Sequence, residues 1–183
     1  MKFFGYKTKT MKQLLLSKEF KIETQYGGSF SKGKAKIARP FNSKKPLHTV
    51  LKLNPSYSFY KKENKKIARG LVNKYAKRSA LKLYQTSFNS SHIHLLAKAE
   101  TQKNFQNFLR VVSGVIARKI TGCEKGKPLN GKFWEVIVWS KIINWGKHFL
   151  STCRYILQNE LECEGVIPYQ KRKIHCEIKL IQS

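Results

Sequence analysis

Two stretches of alternating polarity, joined by a short polar turn, constrain this fold more than any other feature of the chain. In Leu81–Phe88, Leu81, Leu83 and Gln85 alternate with Lys82, Tyr84 and Thr86, and His92–Ala97 alternates again after Asn89-Ser90. A period of two with a turn between is the signature of a β-hairpin half-buried on one face. Helical patterns bracket it. Residues 61–79 carry Ile67, Leu71, Val72 and Tyr75 on one face and Lys and Arg on the other. From Thr101 to near Gly122, Phe105, Phe108, Leu109, Val112 and Ile116 recur at helical spacing.

The flanks extend this order. Leu47, Thr49, Leu51 and Leu53 alternate with His48, Val50 and Lys52 and stop at Asn54-Pro55, which predicts a strand. Gly122–Gly131 reads as a loop and Phe133–Val138 as an extended aromatic stretch. Two helical pieces are expected at Ser140–Phe149 and Ser151–Cys163, stopped by Gly165, with a last strand at Ile174–Leu180. The order strand, helix, hairpin, helix, strand, helix is α+β: an antiparallel sheet of about four to five strands, the His92–Ala97 strand central, covered by helices. One domain over residues 39–183 is expected. Residues 1–38 read as a basic, flexible arm with a short helix near Met11–Phe20.

Charge narrows the function. Lys and Arg number 37 against 10 Asp and Glu, a formal +27. Such an excess repels itself in a compact fold unless a polyanion offsets it, and nucleic acid is favoured over an anionic membrane surface. Lys predominates, which suits backbone tracking more than base reading. Cys123, Cys153, Cys163 and Cys176 form no C-x-x-C pair and no zinc spacing, so reduced thiols in a cytoplasmic, nucleoid-associated protein are expected. No apolar run approaches a membrane span, and no secretory signal is evident.

The residues that carry chemistry are few. His92 and His94, at i and i+2, project from one face of a strand, and Tyr155 and Asn159, at i and i+4, share one face of a helix. Each has a plain reading alone: a chance histidine pair, a core tyrosine, a surface amide. Together they supply two nitrogen ligands, an oxygen ligand and a phenolic nucleophile, enough to hold a divalent ion against a phosphodiester and attack it.

At Ser91-His92-Ile93-His94-Leu95-Leu96 the chain resembles the HUH single-tyrosine transposases, the group that includes REP-associated tyrosine transposases. Further blocks carry the resemblance from about residue 39 to 169. They are Arg39-Pro40 with Lys45-Pro46-Leu47-His48, Phe105 through Gly122, Phe133-Trp134-Glu135, Trp139-Ser140-Lys141 with Trp145-Gly146, and Arg154-Tyr155 through Asn159-Glu160-Leu161-Glu162. One departure is Ser91, where these proteins commonly have Asn.

The resemblance implies a ferredoxin-like (RRM-like) HUH fold. It implies Mg²⁺ or Mn²⁺ held by His92, His94 and Asn159, and Tyr155 as the nucleophile that forms a 5′-phosphotyrosine on single-stranded DNA beside a hairpin. Lys32, Lys34, Lys36, Arg39, Arg110 and Arg118 are candidate DNA contacts, each with an alternative as a solvated charge; Arg154 is a candidate for DNA or for activating the tyrosine. Glu162 is a candidate to orient Asn159 or a metal-bound water, and Phe133, Trp134, Trp139 and Trp145 read as core before DNA platform. His48 is a minor candidate for the site, while His148 and His175 read as surface or packing residues. The competing readings are a non-cutting hairpin-DNA-binding relative, a basic RNA- or ribosome-associated protein, and a metal hydrolase that uses water. Monomer and homodimer, with the tyrosine used in cis or in trans, both stay open.

Overall fold

The computed structural model describes residues 24–31, 33, 37–124, 126–127 and 129–170. The helix expected at Met11–Phe20 and the strand expected at Ile174–Leu180 lie outside them. The elements are β1 (Gln25–Tyr26), β2 (Leu47–Lys52), α1 (Lys62–Arg78), β3 (Leu81–Phe88), β4 (His92–Ala99), α2 (Gln102–Thr121), β5 (Trp139–Ile142) and α3 (Lys147–Cys163). A 3-10 turn follows β1 at Gly28–Ser31.

The five strands form one antiparallel sheet in the order β1-β5-β2-β4-β3. Without the short β1, β2-α1-β3-β4-α2-β5 is the split βαβ arrangement of ferredoxin-like folds, as expected. The His-x-His strand β4 is central, with β2 on one side and β3 on the other.

The alternation of β4 divides the molecule. Ile93, Leu95, Ala97 and Ala99 face α1 and α2 and join Leu47, Leu51, Phe88, Phe105, Phe108, Val112 and Ile116 in the main core. His92, His94 and Leu96 face the other way, toward α3. There a smaller core holds Leu96, Ile143 and Ile156, with Tyr84, Phe149, Cys153 and Tyr155 packed against it.

Local signals set the helix ends. The Thr101 side chain accepts from the Asn104 N–H, an N-cap of a kind worth about 1 kcal/mol. Gly122 ends α2 in the left-handed region at φ 70°, where its N–H meets the Arg118 carbonyl.

Sequence expectations change in two places, the stretch from Phe133 to Phe149 and the arm. The strand after α2 is Trp139–Ile142, not Phe133–Val138, and the helical piece expected at Ser140–Phe149 begins only at Lys147, running unbroken to Cys163. Trp139, Ile142 and Ile143 stand at helical spacing and do not alternate, so periodicity alone misplaces them. Register against β2 decides: Val50 lies opposite Trp139 and Leu47 opposite Ile142. Phe133–Val138 instead wraps the end of β2, where the Asn54 N–H donates to the Phe133 carbonyl and the Glu135 N–H to the Lys52 carbonyl.

The second change concerns the arm, part of which enters the sheet. Gln25 and Tyr26 pair with Lys141 and Ser140. Gly27 follows at φ 82°, and a Cβ there would collide with the Val138 carbonyl, so the close approach of the two backbones requires glycine.

Candidate active site

Strand register assembles the site. On the α3-facing side of the sheet, Val50 lies opposite His94, His48 opposite Leu96, Lys52 opposite His92 and Ser87 opposite His94. α3 crosses above them with Thr152, Ile156 and Asn159 buried. This brings Tyr155 to the histidines: its ring centroid lies 5.4 Å from that of His94 and 6.0 Å from that of His48. The His92 and His94 rings stand edge-on at 4.6 Å. The four residues expected to carry the chemistry, His92, His94, Tyr155 and Asn159, therefore meet in one place.

Their hydrogen bonds are specific. Asn159 Nδ2 donates to the Tyr155 carbonyl at 2.7 Å, which turns Oδ1 toward the β3–β4 turn. There Asn89 Nδ2 donates to His92 Nε2 at 2.9 Å and reaches Asn159 Oδ1 at 3.5 Å. Asn89 is itself held by the Ser87 hydroxyl, which donates to its Oδ1 at 3.0 Å. Because the amide N–H₂ can only donate, His92 Nε2 is an acceptor and the ring proton sits on Nδ1, 2.9 Å from the Ser91 hydroxyl. The Ser91 hydroxyl thus helps to orient the first histidine.

The donor set fits a divalent ion. An imidazole lone pair and an amide oxygen converge on one N–H₂ group, the place a cation would take. Among the described residues no group of three or more His, Cys, Asp or Glu is placed to hold a metal ion.

His48 is buried below, its Nε2 3.0 Å from His94 Nδ1. Burial above all, with Lys141 of β5, His148 of α3 and His92 of β4 acting in the same direction, pushes its pKa down to about 3. His94 and Tyr155 complete its surroundings. The sign follows from proton counting: below about pH 6.5 the unfolded chain binds a proton at this position that the folded one refuses. The stability present above pH 6.5 is therefore lost progressively as pH falls toward about 3, at up to about 1.4 kcal/mol per pH unit. Urea midpoints of the metal-free protein should fall over this range, and less steeply in His48→Gln.

The other expected residues are scattered. Arg39 lies on the opposite face of the sheet, donating to Ser140 Oγ and the Val138 carbonyl and stacking on Tyr26 at 4.4 Å. It braces β5, away from the histidines. Arg110 and Arg118 are exposed on α2, also across the sheet, and Arg154 is exposed on α3 beside Tyr155. Lys32, Lys34 and Lys36 lie outside the described residues. Glu162 Oε1 accepts from Gln158 Nε2 and the Gln170 N–H, while Asn159 is directed by Tyr155 and Asn89. Its neighbour Glu160 is the structural carboxylate: it accepts the Phe88 N–H at 2.7 Å and pairs with Arg69 of α1. Phe133 is core, Trp134 donates to the Ser113 carbonyl, Trp139 packs edge-on against His48, and half-exposed Trp145 donates to the Lys44 carbonyl.

Residues 42–159 match the family described as Transposase IS200 like, and this span is more than half of the chain. The chain belongs to that family. The matched span of this IS200-like transposase runs from the approach to β2 to Asn159, so it contains both histidines and the tyrosine. A solved protein of Deinococcus radiodurans, provisionally described as a transposase, is similar at 16% identity and a TM-score of 0.44. The similarity covers 69% of this chain and 98% of that one. No curated protein matches the sequence. No described helix of the transposase is long and apolar enough to cross a membrane.

Sequence reasoning missed Asn89 and Ser87 and gave His48 too little weight. Both polar residues look like ordinary hairpin residues until the turn folds beneath α3. A shallow depression of about 370 Å³ on α1, lined by Lys62, Lys65, Lys66, Arg69, Gly70 and Asn73, was also unforeseen. Arg69 ties its rim to Glu160 of α3 and to Glu164 just past the end of that helix.

Proposed function

We propose that this transposase nicks and rejoins single-stranded DNA beside a hairpin, through a 5′-phosphotyrosine at Tyr155. The observation that carries the reading is the packing of the Tyr155 ring against His94, with His92 beside His94 and Asn89 linking His92 to Asn159. His92 Nε2, His94 and Asn159 Oδ1 would hold Mg²⁺ or Mn²⁺. When bound, the ion supplies a Lewis acid that offsets charge gathering on the phosphate oxygens.

The chain's own groups do the rest. Tyr155 Oη attacks phosphorus in line, the P–O3′ bond breaks to release the upstream strand, and the downstream strand stays on the enzyme through its 5′ phosphate. The phenolic proton is lost to the surroundings and the departing 3′ oxygen gains one, so the step is balanced without ATP. Attack by another 3′-hydroxyl reverses it and joins new ends. Packing between His48, His94 and the small core holds the Tyr155 ring in place, which supports attack from one direction. The cationic rim of α1 and exposed Arg154 are suited to the DNA backbone. The site's cytoplasmic, nucleoid-associated setting belongs to the same proposal.

The test is incubation of the protein with labelled single-stranded DNA carrying a hairpin from the gene's own flanks, plus Mn²⁺, followed by a denaturing gel. A labelled protein band that EDTA abolishes is expected. Tight binding without such a band would replace this reading with a non-cutting hairpin-binding protein.

A further inference from the structure

The contact between His48 and His94 joins two buried imidazoles at 3.0 Å with one proton between them. Each neutral ring carries a single N–H, so one of the two facing nitrogens donates and the other accepts. The choice determines which nitrogen of His94 has a lone pair left. If His48 donates, the His94 proton sits on Nε2 and that nitrogen cannot take a metal. If His94 donates from Nδ1, Nε2 is free to bind one.

We propose that His48 is a positioning residue that accepts from His94 Nδ1 and so fixes the tautomer in which His94 Nε2 faces the ion beside Tyr155. The inference rests on the metal-dependent reading above. Three observations carry it. His94 Nδ1 is already occupied by His48, which leaves Nε2 as the nitrogen able to bind a metal. His92, two residues away on the same face, is held in the matching tautomer by Asn89 and Ser91, so both rings would offer the same nitrogen. The His48 ring is fixed by its neighbours: stacked with His94 at 5.2 Å, edge-on to Trp139 at 5.3 Å and to Tyr155 at 6.0 Å. Burial disfavours the charged imidazolium, and a neutral ring can accept.

Metal-bound histidines commonly donate their second N–H to a carboxylate or a carbonyl. A buried neutral imidazole does the same orienting without placing a negative charge beneath an incoming phosphate. That substitution suits a site built for a polyanion.

Long-range ¹H–¹⁵N imidazole spectra of the metal-free wild-type protein test the tautomer directly. They should show His94 protonated on Nδ1 and bare at Nε2, and His48 protonated on Nδ1. Mn²⁺ binding, read by electron paramagnetic resonance of the free ion, tests the role. His48→Leu should weaken it by about 10- to 100-fold, while His48→Gln, whose amide oxygen reaches the place of Nε2, should stay within about threefold of wild type. Thermal melts by circular dichroism identify any variant that fails to fold.

The opposite tautomer of His94 overturns the proposal, as does a folded His48→Leu that binds Mn²⁺ as tightly as wild type. A wild-type protein that binds no Mn²⁺ overturns the metal reading, and the spectra then still decide the tautomer alone.

Discussion

Tyr155→Phe is expected to abolish the covalent protein–DNA band and to reduce strand cleavage by roughly 10⁴- to 10⁶-fold, the scale on which nucleophile removals act. The substitution deletes one oxygen and leaves the ring, so the packing against His48 and His94 persists. DNA affinity and melting temperature should therefore change little. A water-based hydrolase would behave differently, since its nucleophile is not on the protein and cleavage would survive. Denaturing gels alongside filter binding separate the two. Cleavage by Tyr155→Phe within tenfold of wild type would rule out the covalent route.

Ile156→Ala should have the largest effect on stability confined to one element. Ile156 is fully buried, and with Leu96 and Ile143 it makes up the buried part of the small core that docks α3. Truncating such a side chain costs about 2–5 kcal/mol, through lost transfer energy and the cavity left behind. Here the loss falls on one joint, because the main core under α1 and α2 does not include Ile156. Hydrogen exchange should accelerate in α3 while the amides of α2 and β4 stay protected. Phe108→Ala, in the main core, should lower protection throughout instead. Uniform loss of protection in Ile156→Ala would show that α3 and the sheet unfold as one unit.

The sequence exposes the parts of this molecule whose pattern is local. The hairpin, both long amphipathic helices and the caps at Thr101 and Gly122 are written in alternation, in 3.6-residue spacing and in single residues with one physical role. So are the histidines and the Tyr155–Asn159 pair, because spacing of two on a strand and of four on a helix fixes which side chains share a face. Whatever depends on register stays hidden. His48 reaches His94 only because β2 and β4 pair with Val50 opposite His94. Asn89 reaches Asn159 only because α3 lies over the β3–β4 turn. Arg39 reads as a free cation until the sheet places Ser140 and Tyr26 beside it. Ser140–Ile142 reads as helix because Trp139, Ile142 and Ile143 stand at helical spacing, and only pairing with β2 selects the strand.

The two-residue strand β1 has a consequence for how copies of this chain treat one another. A sheet that ended at β5 would display a row of unpaired backbone N–H and C=O groups, an invitation to strand addition by a second molecule. Gln25 and Tyr26 occupy that row, the Ile142 N–H is taken by the Thr24 carbonyl, and the Gly28 N–H meets the Ile137 carbonyl. Part of the segment that reads in sequence as a basic, flexible arm thus takes up backbone groups of β5 that strand addition by a second molecule would need.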